Sequence, residues 1–237
     1  MKNIVAISWK EIKTYFVSPM AYVIMAVYSA LASYYFVTSI SGVLPEASVR
    51  GYILPSTLLF VLLSPIITMR LIAEEQKLGT LELLMTSPVR DYEIVLGKFI
   101  AASASLVSIL IPTAYLVLLL HWFGTPDIGP ILSGYLGLTL FGMATISVGL
   151  LASSLSGNQI VSAVVAMGIL LILSIIDLAS SYVTGVFSDI VLEISISSHF
   201  QNFARGIIDT HDIVFYVVFI TFMLFLTVRS LESRRWR

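Results

Sequence analysis

Arg70-Leu71-Ile72-Ala73-Glu74-Glu75-Gln76-Lys77-Leu78-Gly79-Thr80-Leu81-Glu82-Leu83-Leu84-Met85-Thr86-Ser87-Pro88-Val89-Arg90-Asp91-Tyr92-Glu93 is a charge-rich island between two long hydrophobic runs. It stands out because charge is scarce elsewhere: 11% of the 237 residues are charged, 58% are hydrophobic, and mean hydropathy is +0.98. Soluble domains carry about 25% charged residues, so this composition specifies an integral membrane protein, with length for one domain. In such a chain the island is either a solvated loop or a surface that something grips.

Outward from the island the spans fall into place. Ile53 to Met69 precedes it as the second span (53–69), with Pro65 set to kink it. Ser87-Pro88 then reads as a helix start, with Asp91 and Glu93 in the opening turns, where acidic groups suit the helix dipole. The third span covers 94–120, with Lys98 at its wet end. Further spans are expected at 131–151, 160–176 and 213–228, and a first at 21–40 begins after the N-cap pair Ser18-Pro19. Residues 1–17 form an amphipathic helix, with Ile4, Val5, Trp9, Ile12 and Phe16 near one face and Lys2, Asn3, Lys10 and Lys13 on the other. A basic helix of this kind lies in the membrane interface. Residues 177–212 are a polar connection whose short apolar repeats suggest helices resting on or dipping into the outer membrane surface.

Charge sets the orientation. With six spans, one side holds Lys2, Lys10, Lys13, Arg70, Lys77, Arg90, Lys98, Arg229, Arg234, Arg235 and Arg237; the other holds only Arg50 and Arg205. By the positive-inside rule the first side, with both termini, is cytoplasmic. Trp9, Trp122 and Trp236 sit at span ends, as interfacial aromatics do.

Several classes of chemistry are excluded or disfavoured. Net charge is −1, so overall charge points to no nucleic acid. There is no cysteine, hence no thiol catalysis or Cys-ligated metal, and no HExxH pair. Met1 to Ser18 lacks the basic start and short apolar core of a cleavable signal peptide. No GxxxxGK[ST] loop is present, and the spans as drawn carry no charge that could form an ion relay. If the protein moves something uphill, the energy must therefore come from a partner. Ser154-Leu155-Ser156-Gly157 has no intramembrane base to act as a nucleophile site and reads as a cytoplasmic turn. His199, Asp209, His211 and Asp212 could cluster, but their loop position favours solvated polar residues, so no metal site and no catalytic residue is assigned. Small residues at four-residue steps (Gly97, Ala101, Ser105; Thr145, Gly149, Ser153) let membrane helices approach closely, most simply within one bundle.

Inside the island, Leu78, Leu81, Leu84 and Met85 fall near one helical face. A solvated loop has no need of that face; it must rest on lipid, on other spans, or in a partner's groove.

Here the residues resemble a known family. Glu74-Glu75-Gln76-Lys77-Leu78-Gly79-Thr80-Leu81-Glu82-Leu83-Leu84-Met85-Thr86-Ser87-Pro88-Val89, followed by Glu93 and Gly97-Lys98, resembles ABC-2 type transporter permeases. Lys10-Glu11-Ile12-Lys13-Thr14-Tyr15-Phe16-Val17-Ser18-Pro19 and Ser198-His199-Phe200-Gln201-Asn202-Phe203-Ala204-Arg205-Gly206-Ile207-Ile208-Asp209 make it most similar to the gliding-motility-associated permease subfamily. The resemblance implies an all-α, type V exporter-like membrane domain over 1–237: six transmembrane helices, an interfacial N-terminal helix, a cytoplasmic coupling helix at 74–86, and an outer gate in 177–212. It implies coupling through Glu74, Glu75, Gly79, Thr80, Leu81, Glu82, Leu84 and Met85, and a gate region with His199, Phe200, Phe203 and Arg205. The implied partners are cytoplasmic ABC ATPase subunits, which bind the ATP and magnesium, a second permease copy or homologous permease, and the bilayer of a bacterial or archaeal inner membrane. A structural subunit transmitting force to periplasmic or envelope partners, without solute passage, is the alternative.

Overall fold

Six helical segments long and apolar enough to cross a membrane organise the computed structural model, which describes residues 2–41, 48–86, 88–124, 126–181 and 185–235. Among the described residues there is helix and no strand. The chain runs α1 (Lys2–Val17), α2 (Pro19–Ile40), α3 (Arg50–Thr68), α4 (Ala73–Lys77), α5 (Thr80–Thr86), α6 (Asp91–Leu110), α7 (Ala114–Phe123), α8 (Ile128–Leu155), α9 (Gln159–Ile175), α10 (Val186–Ile194), α11 (Ile196–Ala204) and α12 (Thr210–Arg235). The spans are α2, α3 with α4, α6 with α7, α8, α9 and α12.

Local sequence explains where these helices start and break. Ser18 caps α2 by accepting the Met20 N–H at 3.3 Å, with Pro19 in the first turn. Pro55 and Pro65 both lie inside α3, which continues through them. The start expected at Ser87-Pro88 is displaced: Ser87 lies outside the described residues, and α6 begins at Asp91, where the Glu93 carboxylate accepts the Arg90 N–H at 3.0 Å. The third span runs through one internal change of helix type. Pro112 has no N–H to give, and a 3₁₀ turn at Ile111–Thr113 separates α6 from α7. There Thr113 and Tyr52 both reach the Tyr135 hydroxyl, at 3.0 and 2.8 Å.

α8 is the axis of the bundle, packed on α3, α6, α9, α11 and α12. Its glycines at 137 and 149 let side chains of α11 (Phe203) and α3 (Thr68) rest directly on its backbone. The apolar stretches of α3, α6–α7 and α8 are 61–72% buried, against 11–22% for α2, α9 and α12. Three inner spans are thus enclosed, and three outer spans offer apolar faces such as Val23, Val164 and Val218 to lipid. Among the buried hydroxyls of the inner spans, Ser56, Thr68 and Ser105 return their protons to carbonyls four residues back, whereas those of Ser64 and Ser103 meet no partner among the described residues.

At one end, α10 and α11 follow the 3₁₀ turn at Ile176–Ser181 that ends α9. α10 leaves Phe187, Ile190 and Ile194 exposed, whereas α11 is driven into the bundle with Ile196, Phe200 and Phe203 buried. Arg50, at the start of α3, donates to the carbonyls of Ala204 at 3.1 Å and Arg205 at 2.9 Å, closing the C-terminus of α11 where a cation suits the dipole.

Candidate coupling site

The opposite end carries the charged island, and its backbone is bound to α8 before any partner is considered. Ser153 at the end of α8 accepts the N–H groups of Ile72 and Ala73 at 3.1 and 3.0 Å and donates to Met69 O at 3.3 Å. Gln76 donates to Ser154 O at 3.1 Å. A serine in the last turn of a membrane helix therefore supplies the start of α4, where backbone donors lack helical partners.

The island is two short helices rather than one. Gly79 takes φ +71°, a left-handed conformation open to glycine, and ends α4 one residue before α5 begins. This turn changes the expected apolar face. Leu81 is turned inward and joins the bundle core, Leu84 is half-buried, and Leu78 and Leu83 are the exposed leucines. The Met85 side chain lies outside the described residues. Thr80 and Glu82 are exposed, and Glu74 and Glu75 half-buried. Leu78 and Leu81 thus do not share a face, because the periodicity was read through a residue that interrupts the helix.

Lys98 is the residue that ties the end together. It lies on α6 with 1% of its side chain exposed, its Nζ 2.9 Å from Glu75 Oε1 and 3.1 Å from Glu11 Oε1. The expectation of a wet lysine is corrected: two carboxylates replace the water, and they come from α4 and α1. Beside it, α1 lies directly on α6. Ser8 donates to Gly97 O at 3.0 Å, Asn3 donates to Glu93 Oε2 at 3.1 Å, and the absent side chain of Gly97 makes room for Ile7. Tyr15 donates to Ile67 O and lies under Arg70, whose Cζ is 5.5 Å from the ring centroid. Burial pushes the Tyr15 phenol well above its ordinary pKa, so it stays a neutral donor. On the far face of α1, Val5, Trp9 and Phe16 are exposed with Lys10 and Lys13. α1, α4–α5 and α6 therefore form one cross-braced unit. Lys98 and Glu11 were missed as site residues; a lysine one turn inside an apolar run was the available signal.

This arrangement, six spans with a short helical pair braced at one end, has a family behind it. The family model described as "ABC-2 family transporter protein" matches residues 5–227. The chain belongs to the ABC-2 transporter family. It is an all-α, multi-pass membrane protein of that family. Among curated proteins this ABC-2 chain is 27% identical over 117 residues to the "Probable multidrug ABC transporter permease YbhR" of Escherichia coli K12, and the match from strain O157:H7 is the same. That alignment covers 48% of this chain and 31% of the relative, so the chain spans under a third of the curated proteins it matches.

The other expected site residues are at the opposite end. Phe200 and Phe203 are buried against Phe141 and Gly137 of α8, the Phe141–Phe200 rings at 5.7 Å, while the Arg205 side chain is exposed. His199 and Asp212 are not solvated as expected: both are buried, and His211 stands beside them. Asp209 is outside this group and exposed, accepting the His211 N–H at 3.0 Å. The small residues at four-residue steps face partners in the same bundle, Gly97 meeting Ile7 and Gly149 meeting Thr68.

Proposed function

We propose that this ABC-2 chain is the transmembrane permease of an exporter, driven by ATP that separate cytoplasmic ATPase subunits bind with magnesium and hydrolyse. The segment Glu74–Thr86 receives the work, and a second permease copy or homologue completes the path. The observation that carries this reading is the Glu11–Lys98–Glu75 ion-pair node. A push on α4–α5 is passed at once to α6 and to the interfacial helix α1, because the three share one buried ammonium. The exposed Leu78 and Leu83 are the apolar groups available to a cleft in the ATPase. Both termini are assigned to the cytoplasm of a bacterial or archaeal cell, and the gliding-motility-associated permeases remain the subfamily its motifs resemble most.

Leu83→Asp tests it. This exposed residue can carry charge without entering the core, so membrane insertion and thermal stability should hold while co-purification of the ATPase falls. Leu81→Asp should instead lower the yield of folded protein, since it places a carboxylate in the core. Undiminished ATPase recovery with Leu83→Asp and Leu78→Asp together would overturn the assignment.

A further inference from the structure

At the end of the bundle remote from the island, four side chains from three helices converge in a way their protons alone do not explain. His199 of α11 has Nδ1 2.8 Å from Asp212 Oδ1, and its Nε2 is 3.3 Å from the main-chain oxygen of Glu193. His211 sits with Nδ1 3.9 Å from the same Asp212 oxygen and Nε2 3.2 Å from the Glu193 carboxylate. Both imidazoles thus turn Nε2 toward Glu193 and Nδ1 toward Asp212. All four contacts end on oxygens that only accept, and a neutral imidazole has one N–H to share between its two. With that proton on Nε2, facing Glu193, two Nδ1 lone pairs and a carboxylate oxygen are aimed at one another, and something positive belongs between them.

We propose that His199, His211 and Asp212 bind a divalent transition-metal ion of the zinc type, with Glu193 holding both imidazoles from behind. Two histidines and one carboxylate leave a fourth position for water or another ligand, and imidazole nitrogen suits zinc, nickel or copper(II) over magnesium or calcium. Ligand atoms around a tetrahedral zinc ion lie about 3.3 Å apart, given bonds near 2.0–2.1 Å, which falls between the 2.8 and 3.9 Å separations here. The supporting contacts are in place. Asn202 donates to Asp212 Oδ2 at 2.9 Å, leaving Oδ1 for the ion. Phe215 stacks on the His199 ring at 3.8 Å, fixing its plane. His199 and Asp212 are buried while His211 is 61% exposed, so the ion enters from the His211 side. Bound there, it would fasten α10 and α11 to the first turn of α12. The proposal is independent of how α4–α5 is driven.

The test is metal titration of the full-length protein, purified in detergent through a tag without histidine and stripped with a chelator. Co²⁺ should bind once per chain, give the intense visible absorption of a four- or five-coordinate site, and be displaced by Zn²⁺. His211→Ala, on an exposed residue that the fold does not need, should weaken Zn²⁺ binding by about tenfold or more, and Asn202→Ala should weaken it about 10- to 100-fold, as loss of an outer hydrogen bond does. Asp212→Asn should abolish the Co²⁺ spectrum. Absence of saturable Co²⁺ uptake, or equal uptake by the parent and His211→Ala proteins, would overturn the site and leave a second proton as the bridging charge.

Discussion

A lysine ammonium taken out of water costs several kcal/mol unless anions take the place of solvent, and Lys98 is supplied with two. The pairing works both ways, since Glu11 and Glu75 are held near each other only because the ammonium stands between them. Lys98→Met keeps the length of the side chain and removes the charge, leaving two partly buried carboxylates facing one another. The expected loss is on the order of 3 kcal/mol, read as a lower thermal unfolding temperature in detergent. Adding Glu11→Gln and Glu75→Gln to Lys98→Met should recover part of it, because the repulsion goes with the charges. An unchanged unfolding temperature in Lys98→Met would show that the node is not held by its ion pairs. This residue was half legible in the sequence. Its place near the wet end of an apolar run could be read, but nothing in one dimension told that Glu11, far upstream, and Glu75 would converge on it and replace the water.

Helices were read best where periodicity and capping agree. The N-terminal helix over 1–17 and the Ser18 cap could be drawn from residues alone, since both depend on neighbours in sequence. The errors fall where one residue type outweighs the pattern around it. Gly79 divided a helix whose leucines are regularly spaced, and Pro112 turned one stretch of the unbroken third span from α to 3₁₀. The seating of α1 on α6 was not legible, because it depends on a glycine whose partner is ninety residues away in the chain. Its weight can be measured. A Cβ at Gly97 would stand 2.8 Å from Ile7 Cγ2 and 3.3 Å from the Ile4 carbonyl oxygen, which is backbone and cannot step aside. Gly97→Val should therefore lift α1 from α6 and cost about 1–3 kcal/mol. Hydrogen exchange should report it as faster loss of protection over Lys2–Val17 than over α8, and uniform protection would refute the close packing.

Across the whole molecule, the all-α class and the six spans followed from composition and hydropathy, because a bilayer imposes on every crossing helix the same length and the same lack of charge. Which spans are inner and which outer did not follow. Every span is apolar whether it faces lipid or protein, and the hydroxyls and glycines that distinguish α8 are a faint signal. The His199–Asp212 group was seen as a set of residues but placed in solvent, since a polar stretch between spans looks the same whether it floats or folds inward. Orientation is the expectation most directly open to experiment. A reporter active only in the cytoplasm should give signal when fused at Ser156 and none at Asp127; the reverse pattern would invert the molecule and move the island to the outer face.

The ion-pair node also bears on how such a chain can be made. Glu11 and Glu75 both precede Lys98, the former by 87 residues. A chain synthesised at about 5–20 residues per second presents both carboxylates before the ribosome adds the lysine they surround. The buried Lys98 ammonium is thus delivered last of the three charges, to a receptor already made. Order of synthesis and order of burial agree, so this charge need never wait in the bilayer for a partner still to be translated.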